Sequence, residues 1–199
     1  MPLLTLILIT PVAAGLANLL PMPRRVMSSL NVLAFGTTLV FGVILVHRVL
    51  ARGTVTEWDE FLYADALSAW MVLLISAVSL GSSLYAGRYF QRDLASGAVT
   101  TGRAREFFVL TPLFGAAMFL VVLANNLGVM WAAVEATALS SVLLVALYNR
   151  KTSLEAAWKY IMLGSLGLAL ALLGTVFVYA AACKNDSGPL PSFNWSHLM

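Results

Sequence analysis

One cysteine, Cys183, and two histidines are all that the 199 residues contain of the usual soft metal ligands. A lone cysteine excludes an internal disulfide framework, and it falls short of the about four ligands that a structural zinc or an iron–sulfur cluster takes. No metal and no cofactor is therefore expected in this chain, and any redox chemistry belongs to another. Charge is scarce as well: Asp, Glu, Lys and Arg make up 11% of the residues, against 60% apolar ones. A soluble domain carries about 25% charged residues, so that balance excludes one. The excess of three positive charges is small, and the basic residues stand at the ends of apolar runs. Membrane topology explains them better than nucleic-acid binding, and the expected surroundings are a lipid bilayer with no nucleic-acid partner.

The sequence does have long apolar runs. They predict an all-α membrane protein, an antiparallel bundle of about six transmembrane helices over roughly 3–20, 26–47, 65–88, 106–124, 127–147 and 153–183, with a tail at 184–199. The first run is interrupted by Pro11 and Gly15 and is followed, not preceded, by Arg24 and Arg25. A cleavable signal peptide has its charges in front, so this run reads as a retained helix with a tolerated proline. His47, beside Arg48 at the edge of the second span, reads as a solvated residue rather than a proton relay.

Several acids have ordinary structural explanations. Glu57, Asp59 and Glu60 surround Trp58 in a short exposed loop, which lacks the rigid pocket that would tune paired carboxylates for glycoside chemistry. Asp65 opens the third span, where an acid complements the helix dipole. It remains a secondary candidate for proton handling. Arg88 to Arg105 reads as the longest polar loop. Thr152 and Glu155 have the spacing of a capping box, and Glu155 and Lys159 are four apart in the order that favours a surface ion pair. Glu155 is the other secondary candidate.

Glu135 has no such ready explanation. It falls near the middle of Leu127 to Leu147, a run of 21 residues and about 31 Å, just enough to cross. An intramembrane carboxylate costs about 2.5–3.5 kcal/mol even on lenient scales, and it commonly marks a proton or ion path. The plainer alternative is a protonated acid buried against a neighbouring helix. Ala132 and Ala138 predict that the Glu135 face packs against protein. Lys159 lies about 10 Å in from the same membrane edge and Glu135 about 18 Å, an axial gap of about 8 Å that a lysine plus one water would bridge. An approaching ammonium lowers the acid's proton affinity and a withdrawn one raises it, so a movable lysine would load and unload the glutamate.

If the spans alternate, Arg24, Arg25, Arg88, Arg92, Arg103, Arg105, Arg150 and Lys151 share one side, while Arg48, Arg52 and Lys184 share the other. Eight against three places the first side in the cytoplasm and both termini outside. The tail, with Asp186, Pro189, Pro191, Trp195 and His197, reads as the beginning of an external loop.

The run NNLGVMWAAVEATALSSVLLVALYNRKTSLEAAWKYIMLGSLGLALALLGTVFVYAAA, Asn125 to Ala182, resembles the fifth and sixth helices of the antiporter-like subunits of respiratory complex I and the Mrp antiporters. Within that superfamily it is most similar to the membrane subunits, F among them, of hydrogenase 4 and formate hydrogenlyase complexes. YADALSAWM, Tyr63 to Met71, resembles the start of the family's third helix. The resemblance implies a subunit in the membrane arm of a bacterial or archaeal inner-membrane complex, beside other membrane subunits and a hydrogenase or quinone-reducing peripheral arm. It matches Glu135 to the family's fifth-helix glutamate and Lys159 to its sixth-helix lysine, the pair expected to form a proton half-channel, with no redox cofactor in the subunit.

The family's subunits have about fourteen helices built on two inverted repeats. This chain corresponds to their N-terminal portion, without the broken seventh helix, the eighth, or the second repeat. A truncated piece, a split gene product and a naturally short homologue all fit. Two functional readings follow: a proton-translocating subunit that works with partners, and a structural or truncated membrane subunit with no transport of its own. An independent sodium/proton antiporter needs the complete channel.

Overall fold

The computed structural model describes residues 2–97, 99–185 and 193–198. Helix α1 (Leu3–Ala17) is followed by α2 (Arg24–Arg52), a two-stranded hairpin of β1 (Val55–Glu57) and β2 (Leu62–Ala64), and α3 (Ala66–Ala95). Then come α4 (Thr101–Leu123), α5 (Leu127–Val145), a 3-10 turn (Ala146–Tyr148), α6 (Lys151–Asn185) and the short α7 (Trp195–Leu198). Five of these helices are long and apolar enough to cross a membrane, and the shorter α1 is an apolar helix beside them. The chain is an all-α, multi-pass membrane protein of about six helices, as its composition predicts.

The polar stretch from Arg88 to Arg105 is not a loop. α3 continues to Ala95 and α4 begins at Thr101, whose preceding Thr100 accepts from Arg103 N. Hydropathy marks where a helix leaves the hydrocarbon, whereas its backbone hydrogen bonds continue into the headgroup layer and water. α3 has 30 residues, about 45 Å against a core of about 30 Å, so both ends protrude.

Helix α1 is fixed at both ends by charges from elsewhere in the chain. Glu57 on β1 accepts from Leu4 N and Thr5 N, each at 3.0 Å, and from Thr5 Oγ1 at 2.8 Å. Arg105 on α4 donates to the carbonyls of Asn18 and Leu19 at the other end. An anion at the N-terminus and a cation at the C-terminus both complement the helix dipole and satisfy backbone groups that the helix leaves unpaired. Near the C-terminal end of α1, a Cβ on Gly15 would lie 2.9 Å from the Leu113 side chain, so the glycine lets α1 approach α4 closely.

Pro112 determines the polar part of the core. It lacks an N–H, so the carbonyl of Phe108, one turn earlier, has no helical donor. The buried amides of Asn18 and Asn31 supply donors instead, at 2.9 and 3.0 Å, and Asn18 also donates to Asn31 Oδ1 at 2.8 Å. Apolar packing flanks this cluster: Leu4, Ile7, Phe35, Leu45, Val72 and Phe119 toward the hairpin, and Met27, Ala86, Phe90 and Phe108 toward the arginine-rich end of the bundle.

The hairpin, the α4–α5 turn and the segment before α7 are tied together through Asn125, which is 2% exposed. Its backbone N–H donates to the Phe61 carbonyl at 3.1 Å, and its side chain donates to the Glu60 carbonyl at 2.8 Å and to Ser196 Oγ at 2.9 Å. Its carbonyl accepts from Trp195 N at 2.8 Å, and its Oδ1 accepts from Ser196 N at 3.1 Å. The tail is therefore hydrogen-bonded to the bundle at Phe193–Ser196. Asp186, Pro189 and Pro191 lie outside the described residues. These bonds also hold a turn in which Trp58, Asp59 and Glu60 have φ of 57°, 50° and 66°, left-handed values that cost roughly 1–2 kcal/mol per residue.

Candidate functional site

Helix α5 starts at a cap made by its own sequence: Asn126 Oδ1 accepts from Gly128 N at 3.0 Å and from Val129 N at 3.2 Å. The close α4–α5 link leaves α5 antiparallel to α4, with α6 on a further side. Trp131 fixes the register with α6, its indole N–H donating to the Leu168 carbonyl at 2.9 Å. One turn on, along the partly covered stripe Trp131, Glu135, Ala138 and Val142, stands Glu135. Gly164, on α6, has open space where a Cβ would be. Ala132 and Leu139 point outward, so the covered face is narrower than the small residues predicted.

Glu135 is half-buried and makes no hydrogen bond or ion pair among the described residues. The nearby hydroxyls are occupied locally: Thr137 donates to the Val134 carbonyl at 2.7 Å and Ser141 to the Ala138 carbonyl at 2.8 Å.

Lys159 does not meet Glu135 in this structure. The covered seam of α6 runs through Ser153, Ala157, Ile161, Gly164, Leu168 and Leu172. Lys159 is two residues from both Ala157 and Ile161, about 200° round the helix from that seam. Its ammonium forms an ion pair with Glu155 Oε1, and the two side chains are 68% and 64% exposed.

Glu155 thereby leaves its expected capping role. α6 begins earlier, at Lys151, and Ser153 Oγ makes the local bonds, accepting from Arg150 N at 3.0 Å and donating to its carbonyl at 2.9 Å. Asp65 is engaged as the cap of α3, accepting from Ser68 N at 2.7 Å. His47 is exposed. Sequence reasoning did not single out Glu57 and Arg105, whose partners lie more than fifty residues away. No group of three or more His, Cys, Asp or Glu suited to a metal ion occurs among the described residues.

Residues 124–191, which include Glu135 and Lys159, match the family described as NADH:quinone oxidoreductase/Mrp antiporter, TM. The hydrogenase-4 component F homolog of Methylacidiphilum infernorum is 30% identical over 87% of this chain and 35% of its own length. This chain is homologous to the antiporter-like membrane subunits of the complex I and Mrp superfamily. Subunit N of the F(420)H(2) dehydrogenase of Methanosarcina mazei is also 30% identical, over 85% of the chain and 35% of the relative. NADH-quinone oxidoreductase subunit N of Hydrogenovibrio crunogenus is 32% identical over 74% of the chain and 30% of the relative. A chain of the membrane-bound sulfane sulfur reductase, an archaeal respiratory membrane complex, has the same fold with a TM-score of 0.68 and 19% identity, over 90% of this chain and 36% of that one. The antiporter-like chain thus spans about a third of the length of the relatives it matches.

Proposed function

We propose that this antiporter-like chain forms part of the membrane arm of a complex I-like hydrogenase or formate hydrogenlyase complex, where it supplies part of a proton half-channel driven by electron transfer in other subunits. Glu135 is the residue that takes up and releases the proton. The observation that carries this reading is a half-buried carboxylate near the middle of α5 with no partner among the described residues. An ionised carboxylate left unpaired at mid-membrane costs several times the thermal energy, and such groups commonly mark a proton or ion path. Lys159 is paired with Glu155 on the outer face of α6, so its part in the half-channel requires a turn of α6 that brings the ammonium towards Glu135. The complex lies in a bacterial or archaeal inner membrane, with the arginine-rich ends of α2, α3 and α4 in the cytoplasm, both termini outside, and other membrane subunits beside α6.

The Lys159–Glu155 pair favours a second reading, a structural membrane segment with no transport of its own, because an exposed ion pair on the outer face of α6 is an ordinary way to end a helix in the headgroup layer. Glu135→Gln and Lys159→Met, each introduced into the assembled complex, separate the two. Under the transport reading Glu135→Gln slows electron-coupled proton movement by about tenfold or more with normal assembly, and Lys159→Met slows it less. Normal proton movement in Glu135→Gln overturns the transport reading in favour of the structural one.

A further inference from the structure

A cavity of about 640 Å³ opens between the first turns of α2 and the last turns of α3, on the arginine-rich side of the bundle. Its polar wall is Arg24, Arg25, Ser28 and Ser29 from α2 and Gln91 from α3, while Pro23, Phe90 and Phe108 make an apolar wall. The two arginines are exposed and form no ion pair with any carboxylate among the described residues. α2 begins at Arg24, and its N-cap, Pro23, makes no side-chain cap. Gly87 leaves the serine its place here, because a Cβ on it would lie 2.7 Å from Ser28 Oγ and the hydroxyl would have to turn. By contrast, the neighbouring Arg103 is paired with Glu106 at 3.1 Å, and Arg105 is committed to the end of α1.

We propose that this cavity binds the phosphate of an anionic phospholipid headgroup. α2 is 29 residues long, about 43 Å against a hydrocarbon core of about 30 Å, which puts its first turns in the headgroup layer. Two arginine forks and a serine hydroxyl match the oxygens of a phosphodiester, and the positive side of a membrane protein meets the anionic lipids of the cytoplasmic leaflet. A free phosphate would leave the exposed ring of Pro23 uncovered, whereas the glycerol backbone of a lipid covers it, and Phe90 and Phe108 form the buried floor behind. The site is independent of Glu135 and of any proton pathway.

Native mass spectrometry of the full chain, released from mixed micelles containing phosphatidylglycerol, phosphatidylcholine or inorganic phosphate, tests the proposal. The expected result is retention of phosphatidylglycerol by the unaltered chain, with little retention of the other two. Arg24→Gln with Arg25→Gln should lower that retention by about tenfold. Ser29→Trp, which fills the cavity without altering charge, should lower it as well, and Arg48→Gln with Arg52→Gln at the opposite end should leave it unchanged. Equal retention by the Arg24→Gln, Arg25→Gln chain, an equal loss on changing Arg48 and Arg52, or displacement of the lipid by inorganic phosphate would each overturn it.

Discussion

Glu57 and Asp65 are acids eight positions apart, and each serves a helix N-terminus, but in different ways. Asp65 caps its own helix through one bond, to Ser68 N, whereas Glu57 caps a helix more than fifty residues away through three. Glu57→Ala is expected to cost about 1.5–3 kcal/mol, since it strands two backbone donors and a hydroxyl, and Asp65→Ala about 1 kcal/mol. Unfolding of the two variants in mixed micelles checks the order, and a greater loss for Asp65→Ala would contradict it. Glu135 has no comparable structural employment. Glu135 stood out in the sequence because a single carboxylate interrupts a crossing-length apolar run. The side of α6 on which Lys159 stands follows instead from the seam Ala157, Ile161, Gly164 and Leu168, whose small members at helical spacing were the available signal.

Among the helices, α4 shows how one residue type propagates. Pro112 frees the Phe108 carbonyl, and Asn18 on α1's C-terminal edge and Asn31 on α2 are recruited to it, which pins three segments together in an apolar setting. Replacing both asparagines with Leu should cost about 1–3 kcal/mol, because the carbonyl is then stranded. In a Pro112→Ala background the amide restored at position 112 can serve that carbonyl, so the cost should shrink. Equal losses in the two backgrounds, measured by unfolding in mixed micelles, would contradict the assignment. The positions of the spans were readable from hydropathy, yet their ends were not. α3 carries Arg88, Arg92 and Asp93 well past the apolar run, because solvated polar residues keep a helix going as readily as apolar ones. The start of α6 was misplaced for a different reason: Thr152 and Glu155 fit the capping pattern, but Ser153 took the local bonds and Lys159 took Glu155.

For the molecule as a whole, the distribution of arginine makes a directional prediction. Ser96, between α3 and α4, and Asp59, in the β1–β2 turn, lie at opposite ends of the bundle. With Cys183 replaced by Ser, a membrane-impermeant maleimide should label Asp59→Cys from outside intact cells, and Ser96→Cys only after the membrane is opened. The reverse pattern would invert the topology. α6 is the least enclosed of the crossing helices, with no buried residue in its most apolar stretch and with Trp158, Leu163, Leu166, Leu170 and Phe177 all exposed. In a membrane that face meets lipid tails or other helices at no hydrophobic penalty. Glu135 stands on α5, the helix against which α6 packs, and the proposed function places the proton carrier there. The number of protons moved per electron transferred, measured in inverted vesicles holding the assembled complex with Glu135→Gln and with Glu135→Asp, tests that placement most directly. Glu135 as proton carrier requires the ratio to fall in Glu135→Gln and to be largely kept in Glu135→Asp, whereas an unchanged ratio in Glu135→Gln would show that the proton takes another route.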